Sequence, residues 1–278
     1  MPTHDNRRRM MVITSVKNQR ISQVLDLGKA RERKESGYFA LEGAREIERA
    51  LNCGYKPHTV FWCRSVLSPA SSQILSMLPS AVDRLEVAPQ VYAKIAVRES
   101  SDGMVVIFEQ KRHDLPTLPQ RPLRLILAVQ GLEKPGNLGA ILRSSDAAGA
   151  DALFLVDQQV DLYNPLVLRA SVGTAFAQTV VALSSGELKR LATERGWQIV
   201  AAALHGSAVP YTDIDYTRPT VILLGTEAVG LTANWLHESD KVAQIPMAGI
   251  ADSLNVSVAG AVMLFEARRQ ISSASLTG

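Results

Sequence analysis

The sequence predicts an α/β protein: a C-terminal domain with helices on both faces of a parallel sheet, preceded by a smaller α/β domain. Three observations carry this. Residues 123–129, 152–156, 178–182, 198–203 and 220–224 are apolar runs separated by helical stretches. Runs that are continuously apolar, rather than alternating, belong to parallel strands buried on both faces. A proline-rich stretch, with Pro116, Pro119 and Pro122 inside residues 113–122, divides the chain into regions of different texture. Before it, shorter strand-like and helical patterns mix. The expected organisation is a domain over residues 1–113, a linker over 114–122 and a second domain over 123–278.

In the first domain, Ile21, Val24, Leu25, Leu27 and Ala30 give residues 21–35 one helical rhythm. Tyr38-Phe39-Ala40-Leu41 reads as a strand and residues 44–51 as a helix with Glu46 and Glu48 outward. Thr59-Val60-Phe61-Trp62 and Met104-Val105-Val106-Ile107-Phe108 read as further strands. In the second domain, residues 242–246 form a last strand and residues 254–271 a long closing helix. Ligands in such sheets bind beyond the carboxyl ends of strands, so the informative residues should follow the apolar runs.

The 278 residues are 46% hydrophobic and 21% charged, as in globular proteins. No apolar run reaches the roughly 20 residues that span a bilayer. Arg7-Arg8-Arg9 and the brief apolar run Met10-Met11-Val12-Ile13 are cut short by Thr14 and Ser15, unlike a secretory signal, so a cytoplasmic location is expected. Cys53 and Cys63 make no disulfide framework and read as two unpaired buried thiols; scattered histidines argue against a metal site. Net charge is +3, but residues 1–120 hold 18 Lys and Arg against 13 Asp and Glu, and the remainder 12 against 14. A polyanion-binding surface therefore belongs in the first part, although a solvated face with a basic tail has the same composition.

Three segments follow apparent strands. In Gly131-Leu132-Glu133-Lys134-Pro135-Gly136-Asn137-Leu138-Gly139-Ala140-Ile141-Leu142-Arg143, Pro135 and Gly136 turn, Asn137 is a candidate cap, and Arg143 emerges about two turns into the next helix. By itself Arg143 reads equally as a snorkelling surface residue. In Gly225-Thr226-Glu227-Ala228-Val229-Gly230, the glycines permit close backbone approach and Glu227 is a carboxylate in an apolar loop; an ordinary βα turn looks the same. In Ile245-Pro246-Met247-Ala248-Gly249-Ile250-Ala251-Asp252-Ser253-Leu254-Asn255-Val256-Ser257, Ser253 and Asn255 open the last helix. Ser253 reads as its N-cap, yet polar residues at 253, 255 and 257 exceed what capping needs. No dinucleotide fingerprint or phosphate-cradling loop is present.

Taken in order, these three segments resemble the signature motifs of SPOUT-class methyltransferases, in the SpoU/TrmH-like branch that methylates ribose 2′-hydroxyls. Arg169-Ala170-Ser171-Val172-Gly173-Thr174 also resembles a family segment, and the likeness spans residues 123–271. Residues 21–35, Phe39-Ala40-Leu41-Glu42-Gly43 and Val60-Phe61 are similar to the ribosomal-protein-like RNA-binding domain that accompanies such enzymes. Lys134 departs from the pattern, since many relatives carry Asp there.

The resemblance implies a trefoil knot, a homodimer with sites at the subunit interface, and S-adenosylmethionine held in a bent form mainly by backbone groups. Gly225, Thr226, Gly230, Ile245, Met247 and Leu254 are then the cofactor-binding candidates. Arg143 is the catalytic arginine, with Asn137, Glu227, Ser253 and Asn255 positioning it and the ribose. A guanidinium is too basic to accept a proton readily, so orienting a phosphate and stabilising an alkoxide suit it better. Arg20, Lys29, Arg31, Arg33 and Lys34 are the candidates for RNA phosphate contact. The expected activity is 2′-O-methylation of RNA, with large-subunit (23S) ribosomal RNA preferred. Transfer RNA, or a catalytically silent RNA-binding dimer, is the alternative.

Overall fold

The computed structural model describes residues 12–97, 102–157, 160–226 and 230–274. The chain forms two compact units, Met1–Lys111 and Arg112–Gly278.

The first unit contains α1 (Gln19–Asp26), α2 (Ala30–Ser36), β1 (Tyr38–Glu42), α3 (Ala44–Asn52), β2 (Pro57–Trp62), α4 (Pro69–Met77), β3 (Asp83–Glu86), α5 (Pro89–Ile95) and β4 (Met104–Glu109). Its sheet runs β1-β4-β2-β3, with β4 antiparallel to both neighbours and β2 parallel to β3. Ile21 and Val24 of α1 bury against Phe61, Val91 and Tyr92 on one face. On β1 and β4, Phe39 stacks on Phe108, centroids 5.7 Å apart. Charged and only half-buried along its length, β3 carries no apolar run that would mark it in the sequence.

Residues 21–35 are not one helix. The chain breaks at Leu27-Gly28-Lys29, where Gly28 N–H closes a tight turn onto the Leu25 carbonyl. Glycine in a helix interior costs about 1 kcal/mol relative to alanine, which favours a break there. Arg33 then turns inward: it is 1% exposed, and its Nη1 donates to the Leu27 carbonyl at 2.7 Å. The expectation that Arg33 meets RNA phosphate is therefore wrong; its guanidinium ties α2 to the end of α1. Glu46, expected outward, is 2% exposed, with Arg45 Nη2 3.6 Å from its Oε1. Both cysteines are free; Cys63 is buried but Cys53 is only half-buried, at the end of α3.

The second unit contains β5 (Leu125–Gln130), α6 (Pro135–Ala147), β6 (Ala152–Val156), α7 (Pro165–Ser171), α8 (Thr174–Ala177), β7 (Val180–Leu183), α9 (Ser185–Arg195), β8 (Gln198–Ala202), β9 (Val209–Pro210), β10 (Thr220–Leu224), α10 (Ala233–Glu238), β11 (Lys241–Gln244) and α11 (Val256–Ala274). All pairings in the seven-stranded sheet, ordered β7-β6-β5-β10-β8-β11-β9, are parallel. Every residue of β6 and β10 is buried, as continuous apolar strands require. Leu188 of α9 and Trp235 of α10 pack on one face. On the other face, α6 and α11 pack on each other and on the central strands.

Residues 114–122 are not a free spacer. They belong to the second unit, where Leu118 joins its core. His113, just before them, donates from Nδ1–H to the Val180 carbonyl at 3.1 Å, and its Nε2 hydrogen-bonds with the Tyr163 hydroxyl at 2.8 Å. Three prolines stiffen a stretch that still has apolar side chains to bury. Among the described residues, no helix is long and apolar enough to cross a membrane, and no group of three or more His, Cys, Asp or Glu is arranged around a metal position.

Candidate active site

The carboxyl ends of β8, β10 and β11 open into a cavity of about 620 Å³. Its wall includes Gly225, Thr226, Gly230, Ile245, Met247 and Leu254, all six residues that the sequence marks for cofactor binding. Ser253 and Asn255 also line it. Sequence reasoning missed Ala202, the last residue of β8, and Ala203 and Leu204 after it, which form another part of the wall. The signal was available, because they stand at a strand end like the others. They carry no polar group to draw attention.

The three loops are locked together. Thr226 and Gly230 exchange backbone hydrogen bonds of 3.2 and 3.1 Å, which hold these two residues of the second segment together. At Gly225 a Cβ would lie 2.3 Å from the Gly230 carbonyl carbon, so only glycine fits. A Cβ on Gly131 would lie 2.9 Å from Thr226 Cγ2, which puts the first loop against the second. The third reaches the first through Asn255 Nδ2, which donates to Asn137 Oδ1 at 3.2 Å.

Asn255 is the N-cap of α11. Its Oδ1 accepts from the Ser257 N–H at 2.9 Å and from the Ser257 hydroxyl at 2.7 Å, and its carbonyl receives the first helical bonds. The helix therefore starts at Val256, two residues later than expected, and Ser253 is a wall residue rather than the cap. The spacing of polar residues at 255 and 257 is thus partly a capping arrangement. It also fixes which Asn255 atom is left to face Asn137. Asn137 is likewise not a cap: α6 begins at Pro135 with Lys134 before it, so Asn137 sits in the first turn with its side chain directed toward α11. Proline at the first helical position loses no hydrogen bond and presets the helical φ. Lys134 also lines the cavity.

Arg143 is exposed on α6. It lies six residues beyond Asn137, about 9 Å along the helix and roughly 120° around it. Neither residue is among those lining the cavity, so within one chain Arg143 is not gathered with Ser253 and Asn255. Glu227 falls outside the described residues.

The cavity fits S-adenosylmethionine in size and chemistry: about 620 Å³, with strand-end backbone and apolar side chains beside a few polar groups, and a glycine at 225 that lets the second loop pack tightly against Gly230. Lys134 and Asp252 on the wall offer opposite charges to an amino-acid carboxylate and ammonium.

The SpoU rRNA methylase family model matches residues 124–265, and an MRM3-like substrate binding domain matches residues 18–106. The 23S rRNA (uridine(2479)-2′-O)-methyltransferase of Streptomyces viridochromogenes is 31% identical over 88% of this chain and 87% of its own. The tRNA (guanosine(18)-2′-O)-methyltransferase of Escherichia coli is 35% identical over 57% of this chain and 69% of its own. An S-adenosylmethionine-bound rRNA methyltransferase from Sinorhizobium meliloti superposes with a TM-score of 0.85 at 33% identity, covering 94% of this chain and 98% of that one. Fold and cavity together define an S-adenosylmethionine-dependent RNA methyltransferase. The chain belongs to the SpoU rRNA methylase family.

Proposed function

We propose that this enzyme methylates a ribose 2′-hydroxyl in large-subunit ribosomal RNA. The observation that carries the reading is the convergence of three distant loops, joined by the Asn255–Asn137 bond, on a cavity that fits the methyl donor. The ribosomal preference follows the Streptomyces relative, whose likeness runs through both units, whereas the transfer-RNA enzyme matches 57% of the chain. A ribosomal substrate also fits a cytoplasmic location.

Bound S-adenosylmethionine supplies a methyl group already activated by its sulfonium. The protein's task is then to place the 2′-oxygen in line with that methyl and to manage the hydroxyl proton. Gly225, Thr226, Gly230, Ile245, Met247 and Leu254 hold the donor. Asn137, Ser253 and Asn255 position the ribose, with Glu227 assisting. Arg143 holds the adjoining phosphate and stabilises the developing alkoxide.

Because Arg143 stands off its own cavity, a second copy of the chain completes the site. On α11, Val258 and Phe265 are exposed and Val262 is half-exposed, an apolar stripe at helical spacing that suits a homodimer contact. The C-terminal segment is threaded as the family's trefoil knot. The N-terminal unit selects the RNA, with Arg20, Lys29, Arg31 and Lys34 as its phosphate contacts.

The test is methylation of total RNA from a strain lacking the gene, with labelled S-adenosylmethionine, followed by mapping of the product. A 2′-O-methylated nucleotide in 23S RNA is expected. Label confined to transfer RNA would redirect the substrate, and label on a base nitrogen would overturn the chemistry.

A further inference from the structure

The N-terminal unit has a cavity of about 340 Å³ between α1, α2 and the sheet, within the size range of small-molecule sites. At its rim Tyr38 and His58 form a ring pair with centroids 4.8 Å apart, tilted by 55°. His58 reaches this position through a β-bulge. Pro57 pairs with Phe108 and Thr59 with Ile107, so His58 is the extra residue in β2. Bulges re-aim side chains and favour functional edges. The ring is held by a 2.8 Å contact from Nδ1 to Thr59 Oγ1, and it stays exposed. An exposed histidine beside a half-buried tyrosine is a stacking platform rather than a core contact.

The wall also carries Glu32 and Asp26, the latter paired with Lys29 at 2.7 Å, with Arg20 at the border with a second cavity that holds Lys56. The Glu32 carboxylate repels phosphate but accepts from N–H groups on a base edge. Guanine is the nucleobase whose Watson–Crick edge presents two adjacent donors, N1–H and N2–H, the match for a carboxylate's two oxygens. Arg20 and Lys56, on the neighbouring cavity, suit the flanking phosphates.

We propose that this cavity holds one unpaired guanine of the RNA, stacked on Tyr38 and His58 with its edge toward Glu32. The inference rests on the reading that the N-terminal unit binds substrate RNA, and it adds a base-specific subsite to it.

The experiment measures binding of the full chain to the pentamers UUGUU and UUUUU by fluorescence anisotropy. The wild type should prefer UUGUU. His58→Ala and Tyr38→Leu should each weaken it by about 5- to 30-fold, while Tyr38→Phe, which keeps the ring, binds normally. Glu32→Gln should erase the preference and leave UUUUU binding in place. A 6-thioguanine at the central position should photocrosslink to Tyr38 or His58. If the wild type binds RNA but shows no guanine preference, or if crosslinks fall outside the cavity, the subsite is wrong. If the wild type binds neither pentamer nor ribosomal RNA, the substrate-binding reading of this unit falls, and the subsite with it.

Discussion

At the C-terminal cavity, Asn255 is fixed in direction by its neighbours: it caps α11 with one atom and reaches Asn137 with the other. In the N-terminal unit charges are many, and most candidate RNA contacts already have partners. Arg20 pairs with Asp83 at 3.2 Å, Lys29 with Asp26 at 2.7 Å and Arg31 with Glu35 at 2.7 Å. Such exposed pairs are weak, so phosphate can displace the carboxylate at small cost. The contrast teaches that one unit owes its function to fixed geometry and the other to exchangeable charge.

The largest expected effect lies on the geometric side. Arg143→Ala should lower methyl transfer by about 10² to 10³, the loss typical of one preorganised charge donor, with donor affinity measured by calorimetry nearly unchanged. Comparable losses in both would make Arg143 a structural residue instead. Next, Arg33→Ala should destabilise the N-terminal unit by about 1–3 kcal/mol in denaturant titration, because the buried Leu27 carbonyl loses its donor. Lys34→Ala, one residue on and exposed, should leave stability alone and weaken RNA binding mainly at low salt. The reverse pattern would undo the assignment of these neighbours.

A smaller effect concerns pH. Burial alone would raise the Asp151 carboxyl, but hydrogen bonds from Arg121 and from the Arg124 and Leu125 backbone N–H groups outweigh it, and its pKa is lowered. A depressed carboxylate gives stability that is full above the ordinary range near about 4 and is lost as pH falls through the folded value. Asp151→Asn should therefore flatten the acid limb of the unit's stability profile, checked by thermal unfolding between neutral and acid pH. An unaltered limb would show that the cluster contributes nothing.

Most strand positions in the C-terminal unit were legible because burial on both faces forces continuous apolar runs, but the two-residue, poorly buried edge strand β9 was not. Backbone-lined positions such as Gly225 were legible because a close approach leaves a glycine in the sequence. Side-chain roles were not. Arg33 and Lys34 are neighbours of the same charge, and only the break at Gly28 turns one inward. Nor does spacing show that Asn255 is the cap and Ser253 a wall residue, because either can begin a helix. Ala202 to Leu204 were missed for lack of polar groups, and β3 for lack of apolar ones. The His58 bulge leaves no pattern in the chain, since it exists only in the register between β2 and β4.

The convergence of three loops on one methyl donor is tested most directly by calorimetric titration of S-adenosylmethionine into the wild type and Gly225→Ala. The wild type should bind the donor, and the variant, whose Cβ would lie 2.3 Å from the Gly230 carbonyl carbon, should bind it at least about tenfold more weakly while remaining folded. No binding by the wild type, or equal binding by both, would contradict the claim.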